Sequence, residues 1–208
     1  MPKQEVPLLH LKKYLPEESV EDVLHYLNIY KVQLTVTRKR ETILGDYRHS
    51  HPGKAHRISV NGNLNKYNFL ITLLHELAHL LTFEKYGHRV LPHGTEWKKD
   101  FSQILTQFLS KKVFPPDIEQ ALLQTLHNPA ASSCGDEALL RTLRKYDVTE
   151  EGKLMVEQLP ENSLFSIRGG RVFRKGMKLR TRFKCQEIAT RKWFLFNGVY
   201  EVTVIPDL

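Results

Sequence analysis

The most apolar run of the chain, Phe69-Leu70-Ile71-Thr72-Leu73-Leu74, continues without a break into His75-Glu76-Leu77-Ala78-His79. Three ionisable side chains therefore fall inside a helical pattern that is hydrophobic on nearly every side, which marks a buried helix. Burying two imidazoles and a carboxylate without partners is costly. Residues four apart share one face of an α-helix, so His75 and His79 can reach a single metal ion while Glu76 faces the water such an ion activates. The bland alternative is a pair of hydrogen-bonded core histidines beside a solvated Glu76. With ten histidines in the chain a chance pattern has to be weighed, but a metal removes the burial cost and the alternative leaves it in place.

A catalytic zinc keeps three protein ligands and one open position. Candidates for the third ligand are Glu84, His88, His93 and Glu96. His93 is favoured, because it lies in Leu91-Pro92-His93-Gly94-Thr95-Glu96-Trp97, where Pro92 and Gly94 make a tight turn that can aim a short side chain. His88 follows Gly87 and can instead sit at the end of the active helix, near its negative pole. One zinc ion per chain on His75, His79 and His93, with Glu76 as general base and then acid, is the expected centre. An oxyanion donor is also needed, and Tyr47, His49 and Tyr86 are the candidates. The group His49, His51 and His56 reads as a titrating surface loop rather than another metal site.

The HExxH segment, a linker and His93-Gly94-Thr95-Glu96-Trp97-Lys98 together resemble the SprT-like (Spartan-type) zinc metalloproteases, whose pattern is HExxH, then a His-Gly pair and an aromatic residue three positions after the Gly. His56-Arg57-Ile58-Ser59-Val60-Asn61 is similar to the strand that precedes the active helix in that family. The resemblance spans Pro16 to Lys111 and implies a zincin-like α+β domain, endopeptidase activity, and substrates attached to or near DNA. It also implies a substrate segment paired along a sheet edge near Ile58 to Val60. The metzincin pattern fails, since Thr82 and Lys85 stand where it requires Gly and His.

A chain of 208 residues can hold one medium domain and a small second one. Cys134 and Cys185 are far apart and imply no disulfide framework. Met1 to Tyr14 carries charges around a short Val6-Pro7-Leu8-Leu9 patch, far below a signal sequence, and no apolar run is long enough to span a membrane. The expectation is a cytoplasmic protein, nucleoid-associated if bacterial.

Along the chain, Pro16 to Leu27 reads as a helix. Val32 to Thr37, Ile43 to His49 and His56 to Asn61 read as strands, the last two separated by the Pro52-Gly53 turn. Asn63 or Asn65 is positioned to cap the active helix, which runs to about Tyr86. Further helices are expected over Thr95 to Leu109, Asp117 to Leu126 and Asp136 to Tyr146, with a loop over Asn128 to Gly135 and a strand at Leu154 to Leu159. The fold class is α+β. The expected organisation is a metalloprotease domain over 1–112, a helical linker over 113–153 and a small basic β-domain over 154–208.

The last segment carries the second signal. Between Leu164 and Gly198 ten basic residues stand against one acidic residue, Glu187, a net of +9 where the whole chain carries +8. Met177, Leu179, Thr181, Phe183 and Cys185 alternate with Lys178, Arg180, Arg182 and Lys184, which reads as one strand with a buried face and a cationic face. Arg168-Gly169-Gly170-Arg171 reads as a hairpin turn. Cations at Arg168, Arg171, Arg174, Lys178, Arg180, Arg182 and Lys184 suit a phosphate backbone, so DNA is an expected partner, bound largely without regard to sequence. Phe173, Trp193, Phe194, Phe196 and Tyr200 interleave with the charges, and any left exposed can stack on unpaired bases. A four-cysteine zinc ribbon commonly follows the protease domain in the SprT-like family, but here only Cys185 stands where a ribbon cysteine belongs. Two functions follow from these residues: a zinc endopeptidase acting on DNA-associated or DNA-crosslinked proteins, or a nucleic-acid- or protein-binding factor with a structural or inactive zinc site.

Overall fold

The computed structural model describes residues 8–126, 129, 136–148 and 152–206. Met1 to Pro7 and, apart from Pro129, the loop expected over Asn128 to Gly135 lie outside the described residues. The chain divides into two compact units, Met1–Asp147 and Val148–Leu208. Its class is mixed α and β, with five helices and two sheets among the described residues. None of the described helices is long and apolar enough to cross a membrane.

In the first unit a short 3-10 turn, Glu17–Ser19, leads into α1, Val20–Ile29, which buries Val20, Val23 and Leu27. Strands β1 (Gln33–Thr37), β2 (Gly45–Arg48) and β3 (Arg57–Asn61) form a sheet in the order β1-β3-β2. β1 runs parallel to β3 and β2 antiparallel to it, with Leu34 opposite Ile58 and Gly45 opposite Val60. β3 is therefore the central strand and has no free edge. The expectation that a substrate pairs along Ile58 to Val60 fails on this order, because both sides of β3 are already hydrogen-bonded.

Helix α2, Lys66–Tyr86, is buried along most of its length. Its start is fixed by Asn65, whose Oδ1 accepts from Tyr67 N at 3.1 Å and Asn68 N at 2.9 Å. The Asn65 amide nitrogen donates in turn to Leu143 O at 3.0 Å and Asp147 Oδ1 at 2.6 Å. The helix stops at Gly87, whose φ of +60° is open to glycine without a Cβ penalty. Helix α3, Thr95–Ser110, packs on α2 through Trp97, Phe101, Ile104, Leu105 and Phe108. The two helices are also tied by Asp100, which is buried, accepts from Thr82 Oγ1 at 2.9 Å and pairs with Lys85.

Helices α4 (Pro116–Thr125) and α5 (Glu137–Arg144) lie in the stretch read as a helical linker over 113–153. Ile118, Leu122, Leu139 and Leu143 are buried in the same cluster as Leu70 and Leu74 of α2, so these helices complete the first core. Tyr146 Oη donates to Asp117 Oδ1 at 2.6 Å and fastens the end of α5 to the start of α4.

The second unit is a six-stranded antiparallel sheet in the order β4-β9-β5-β6-β7-β8. Its strands are β4 (Lys153–Met155), β5 (Leu164–Ser166), β6 (Val172–Leu179), β7 (Arg182–Glu187), β8 (Trp193–Asn197) and β9 (Glu201–Ile205). The strand expected to reach Leu159 gives way at Val156–Gln158 to a 3-10 turn. Val156, Leu159, Phe165, Phe173, Phe183, Cys185 and Val202 form its core.

Because Asn65 both caps α2 and holds the end of α5, Asn65→Ala is expected to lower the unfolding free energy by about 1–2 kcal/mol. An unchanged urea midpoint would show that the cap carries no load.

Candidate functional site

Three imidazoles converge from two separate parts of the first unit. His75 and His79 project from the same face of α2, and His93 comes from the turn before α3. His93 has φ of +58°, a left-handed conformation that costs a non-glycine residue about 1–2 kcal/mol. The turn is closed by Gly94 N donating to Leu91 O at 3.0 Å, and a side chain at Gly94 would press on that same carbonyl at 3.0 Å. Trp97, one turn into α3 and fully buried, packs its ring against all three imidazoles at centroid distances of 4.6–5.3 Å.

The three Nε2 atoms lie 3.0–3.2 Å from one another. Ligand nitrogens about 2.0–2.1 Å from a tetrahedral zinc stand about 3.3 Å apart, so the triangle has the size of one tetrahedron face. Burial and the neighbouring imidazoles lower His75 to about 3 and His79 to about 4, and burial lowers His93. Neutral imidazoles are the form that ligates metal. A neutral ring presents one Nε2 as donor or acceptor, so three of them cannot satisfy each other, whereas one shared cation satisfies all three. The donor set fits zinc.

Glu76 lies beside this triangle, buried, on the wall of a cleft of about 570 Å³ lined by residues 41–47, Thr72, the three histidines and Pro92. Burial, with Asp46 adding and Arg40 opposing, raises its carboxyl to about 8. Its side chain passes directly over Gly45: a Cβ there would stand 2.8 Å from Glu76 Cγ and 2.9 Å from Cδ. Gly45 thus leaves the space that the carboxylate occupies. The adjoining wall is held by Arg40, whose Nε donates to Asn61 Oδ1 at 2.7 Å and whose Nη1 donates to Ser59 Oγ at 2.9 Å. Asn61 Nδ2 returns bonds to the carbonyls of Arg40 at 3.1 Å and Ile43 at 3.0 Å. Sequence reading missed Gly45, Arg40 and Asn61. A glycine inside a strand pattern was the available signal for the first, since it often marks a close approach.

The candidate oxyanion donors and the histidine loop are rearranged by the structure. Tyr47 lines the cleft, but its hydroxyl lies 2.9 Å from His56 Nδ1, and His56 Nε2 lies 3.2 Å from Glu84 Oε1. The Tyr47 hydroxyl is thus engaged by His56, whose other ring nitrogen is held by Glu84. Burial and Glu84 hold the Tyr47 phenol well above its ordinary pKa, hence neutral. His56 is buried and does not belong to a surface loop. His49 packs among His51, Phe83 and His88, and neither it nor Tyr86 lines the cleft.

Residues 15–120, which contain this whole centre, match the SprT-like family. The chain belongs to the SprT-like family. It is also similar to Protein SprT from Yersinia pseudotuberculosis serotype O:1b (strain IP 31758), with 31% identity over 99 residues, covering 44% of this chain and 58% of that protein. This chain therefore spans little more than half the length of that relative. No solved structure matches it.

The basic strands lie beyond the SprT-like match, in the second unit. The single strand expected over Met177 to Cys185 is a hairpin: β6 ends at Leu179, Arg180 turns with φ of +50°, and β7 begins at Arg182. Across this two-residue turn Leu179 pairs with Arg182 and Lys178 with Phe183, so Lys178 and Arg182 fall on opposite faces. Met177 and Leu179, expected inside, are exposed. Arg171 is committed to Glu187, donating through Nε at 2.6 Å with its guanidinium over Phe173 and Phe194. Arg168 lies exposed in the turn closed by Gly169 and Gly170, both with positive φ. Arg174, Arg182 and Lys184 share the outer face of β6 and β7, opposite the buried Phe183 and Cys185.

The depressed histidine values of the SprT-like centre have a consequence for the metal-free protein. From the ordinary 6.5 down to about 4, unfolded chains bind protons on His75 and His79 that folded chains do not. Stability then falls as pH falls. Glu76, raised to about 8, acts in the opposite sense over this range, so chelator-treated Glu76→Gln, which lacks that contribution, is expected to unfold at a lower urea concentration at about pH 5 than at about pH 7.5, and added zinc should raise the midpoint at the higher pH. Equal midpoints with and without zinc would contradict the centre.

Proposed function

We propose that this SprT-like chain is a zinc-dependent endopeptidase with a zincin-like active unit, acting on proteins associated with or crosslinked to DNA. The observation that carries the reading is the triangle of neutral imidazole nitrogens, 3.0–3.2 Å apart, beside a buried carboxylate in an open cleft. His75, His79 and His93 hold the ion. When bound, zinc supplies a Lewis acid for the scissile carbonyl and lowers the pKa of a water to about 7.

Glu76 accepts the proton of the attacking water and returns it to the leaving amine. Burial raises the affinity of this carboxylate for the proton it takes up, and a cation on the three histidines would offset that rise so that the group starts ionised. Gly45 keeps the path of the Glu76 side chain clear, and the Arg40–Asn61 bonds keep the wall beside it in place. Strand β2 is an edge strand and lines the cleft, so an extended substrate segment can add to it as a further strand while its scissile bond lies over the histidines. A purely structural zinc site closes its fourth position with another ligand. Among the described residues, the group of metal-ligating side chains here holds three ligand atoms and no more. The basic second unit supports a workplace on DNA, since cations on one sheet face suit a phosphate backbone.

Purified protein should contain about one zinc per chain, and Glu76→Gln should keep the metal while reducing cleavage of a DNA-bound protein by about 100-fold or more. Bound zinc with no cleavage by the wild type would favour the binding factor instead. Gly45→Ala is expected to keep zinc and lower kcat far more than it raises KM, because the added methyl displaces the base. Wild-type kcat in Gly45→Ala would remove Gly45 from the site.

A further inference from the structure

The outer face of the second sheet presents an aromatic platform that charge alone does not explain. Trp193 and Leu195 on β8 are 54% and 55% exposed, on the edge strand of the sheet. By register Trp193 stands opposite Gln186 and Leu195 opposite Lys184 on β7, while Arg174 on β6 stands opposite Gln186. The two exposed apolar side chains are thus bordered on one side by Arg174, Arg182 and Lys184. Arg182 and Lys184 are two positions apart, about 7 Å along the strand.

The indole is held in this position. Lys184 Nζ lies 4.6 Å from its ring centroid, and a cation in that position is attracted to the ring face. Across β7, Gly176 sits at a register shift in β6, where a Cβ would be 3.7 Å from Trp193 Cζ3 and would collide with Lys184 O. The missing side chain lets β6 and β7 close together and lets the indole reach across them. Apart from Tyr200, which is also exposed and leans on Phe196, the phenylalanines of the unit pack inward: Phe165 and Phe173 are fully buried, and Phe194 and Phe196 pack against Phe173 at 5.5 and 4.9 Å.

Building on the reading that the chain works on DNA-associated proteins, we propose that this face binds single-stranded nucleic acid, with Trp193 stacking on an unpaired base and Arg174, Arg182 and Lys184 following the backbone. An exposed ring bordered by cations suits a ligand with an exposed ring face. A duplex covers its base faces, whereas a single strand offers them, and the stacking tolerates any base sequence. The three cations, with no acidic residue among their outer-face neighbours on β7 and β8, select a polyanion over a second copy of the same surface, which would repel itself.

The chain has two tryptophans, and Trp97 is fully buried, so Trp193 can be followed directly. In the full chain, an oligodeoxythymidine titration is expected to quench tryptophan emission, and to do so at lower concentration than a duplex of equal length. Trp193→Ala should weaken oligodeoxythymidine binding about tenfold, measured by anisotropy of a labelled strand, and Trp193→Phe should restore most of it. Arg182→Gln with Lys184→Gln should reduce the salt slope by about 1–2. Unchanged single-strand affinity in Trp193→Ala would overturn the proposal. So would equal Trp193-dependent binding of duplex, or a self-association that Trp193→Ala abolishes without any oligonucleotide binding. The readout is binding alone, so a chain that cleaves nothing still tests this face, and a chain blind to oligonucleotides leaves the cleavage assay standing.

Discussion

Much of the first unit follows from placing two imidazoles and a carboxylate inside a helix that is otherwise apolar. The burial that stabilises α2 is the burial that keeps His75 and His79 neutral and raises Glu76. Neutral imidazoles packed 3.0–3.2 Å apart face each other with lone pairs they cannot all use. A shared cation would resolve this, and the positive φ at His93 is the backbone strain that brings the third imidazole to the same point. Trp97 behind the rings and Gly45 before the carboxylate then set which way each group faces.

What could be read from the sequence was whatever a short spacing encodes. The active helix, its Asn65 cap and the aim of His93 all rest on residues a few positions apart, where helical periodicity and turn chemistry act directly. The wall of the cleft rests on Arg40 and Asn61, 21 residues apart, and no local pattern announces such a pair. Strand order fell outside the sequence for a similar reason. Three strands were expected, but only the parallel pairing of β1 with β3 makes β3 central and passes the free edge to β2. The free edge beside the cleft therefore belongs to the strand that begins at Gly45 and not to Ile58 to Val60.

The second unit shows how a period-two pattern misleads when a turn is hidden inside it. Alternation through Met177 to Cys185 reads as one strand because no Asn-Gly or Gly-Gly marks the break. Arg180 takes the positive φ that glycine usually supplies. Two turn residues reverse the parity, so Lys178 shares a face with Phe183 while Arg182 and Lys184 take the other. The four cations expected in one row are split by that reversal.

Net charge was therefore a poor guide to which cations face a ligand. The one acidic residue of the basic segment, Glu187, is spent on Arg171, and Lys175 is buried with its ammonium directed at Leu159 O and over the Phe183 ring. Subtracting these leaves a smaller charged face, but one with a defined shape. A merely solvated face gains nothing from an indole open to water on an edge strand, where apolar exposure invites strand pairing. Cations on one side and an indole held over the sheet by Lys184 and Gly176 make that exposure specific. The same residues deter self-pairing and leave a flat, charged-rimmed surface for a ligand with free base faces.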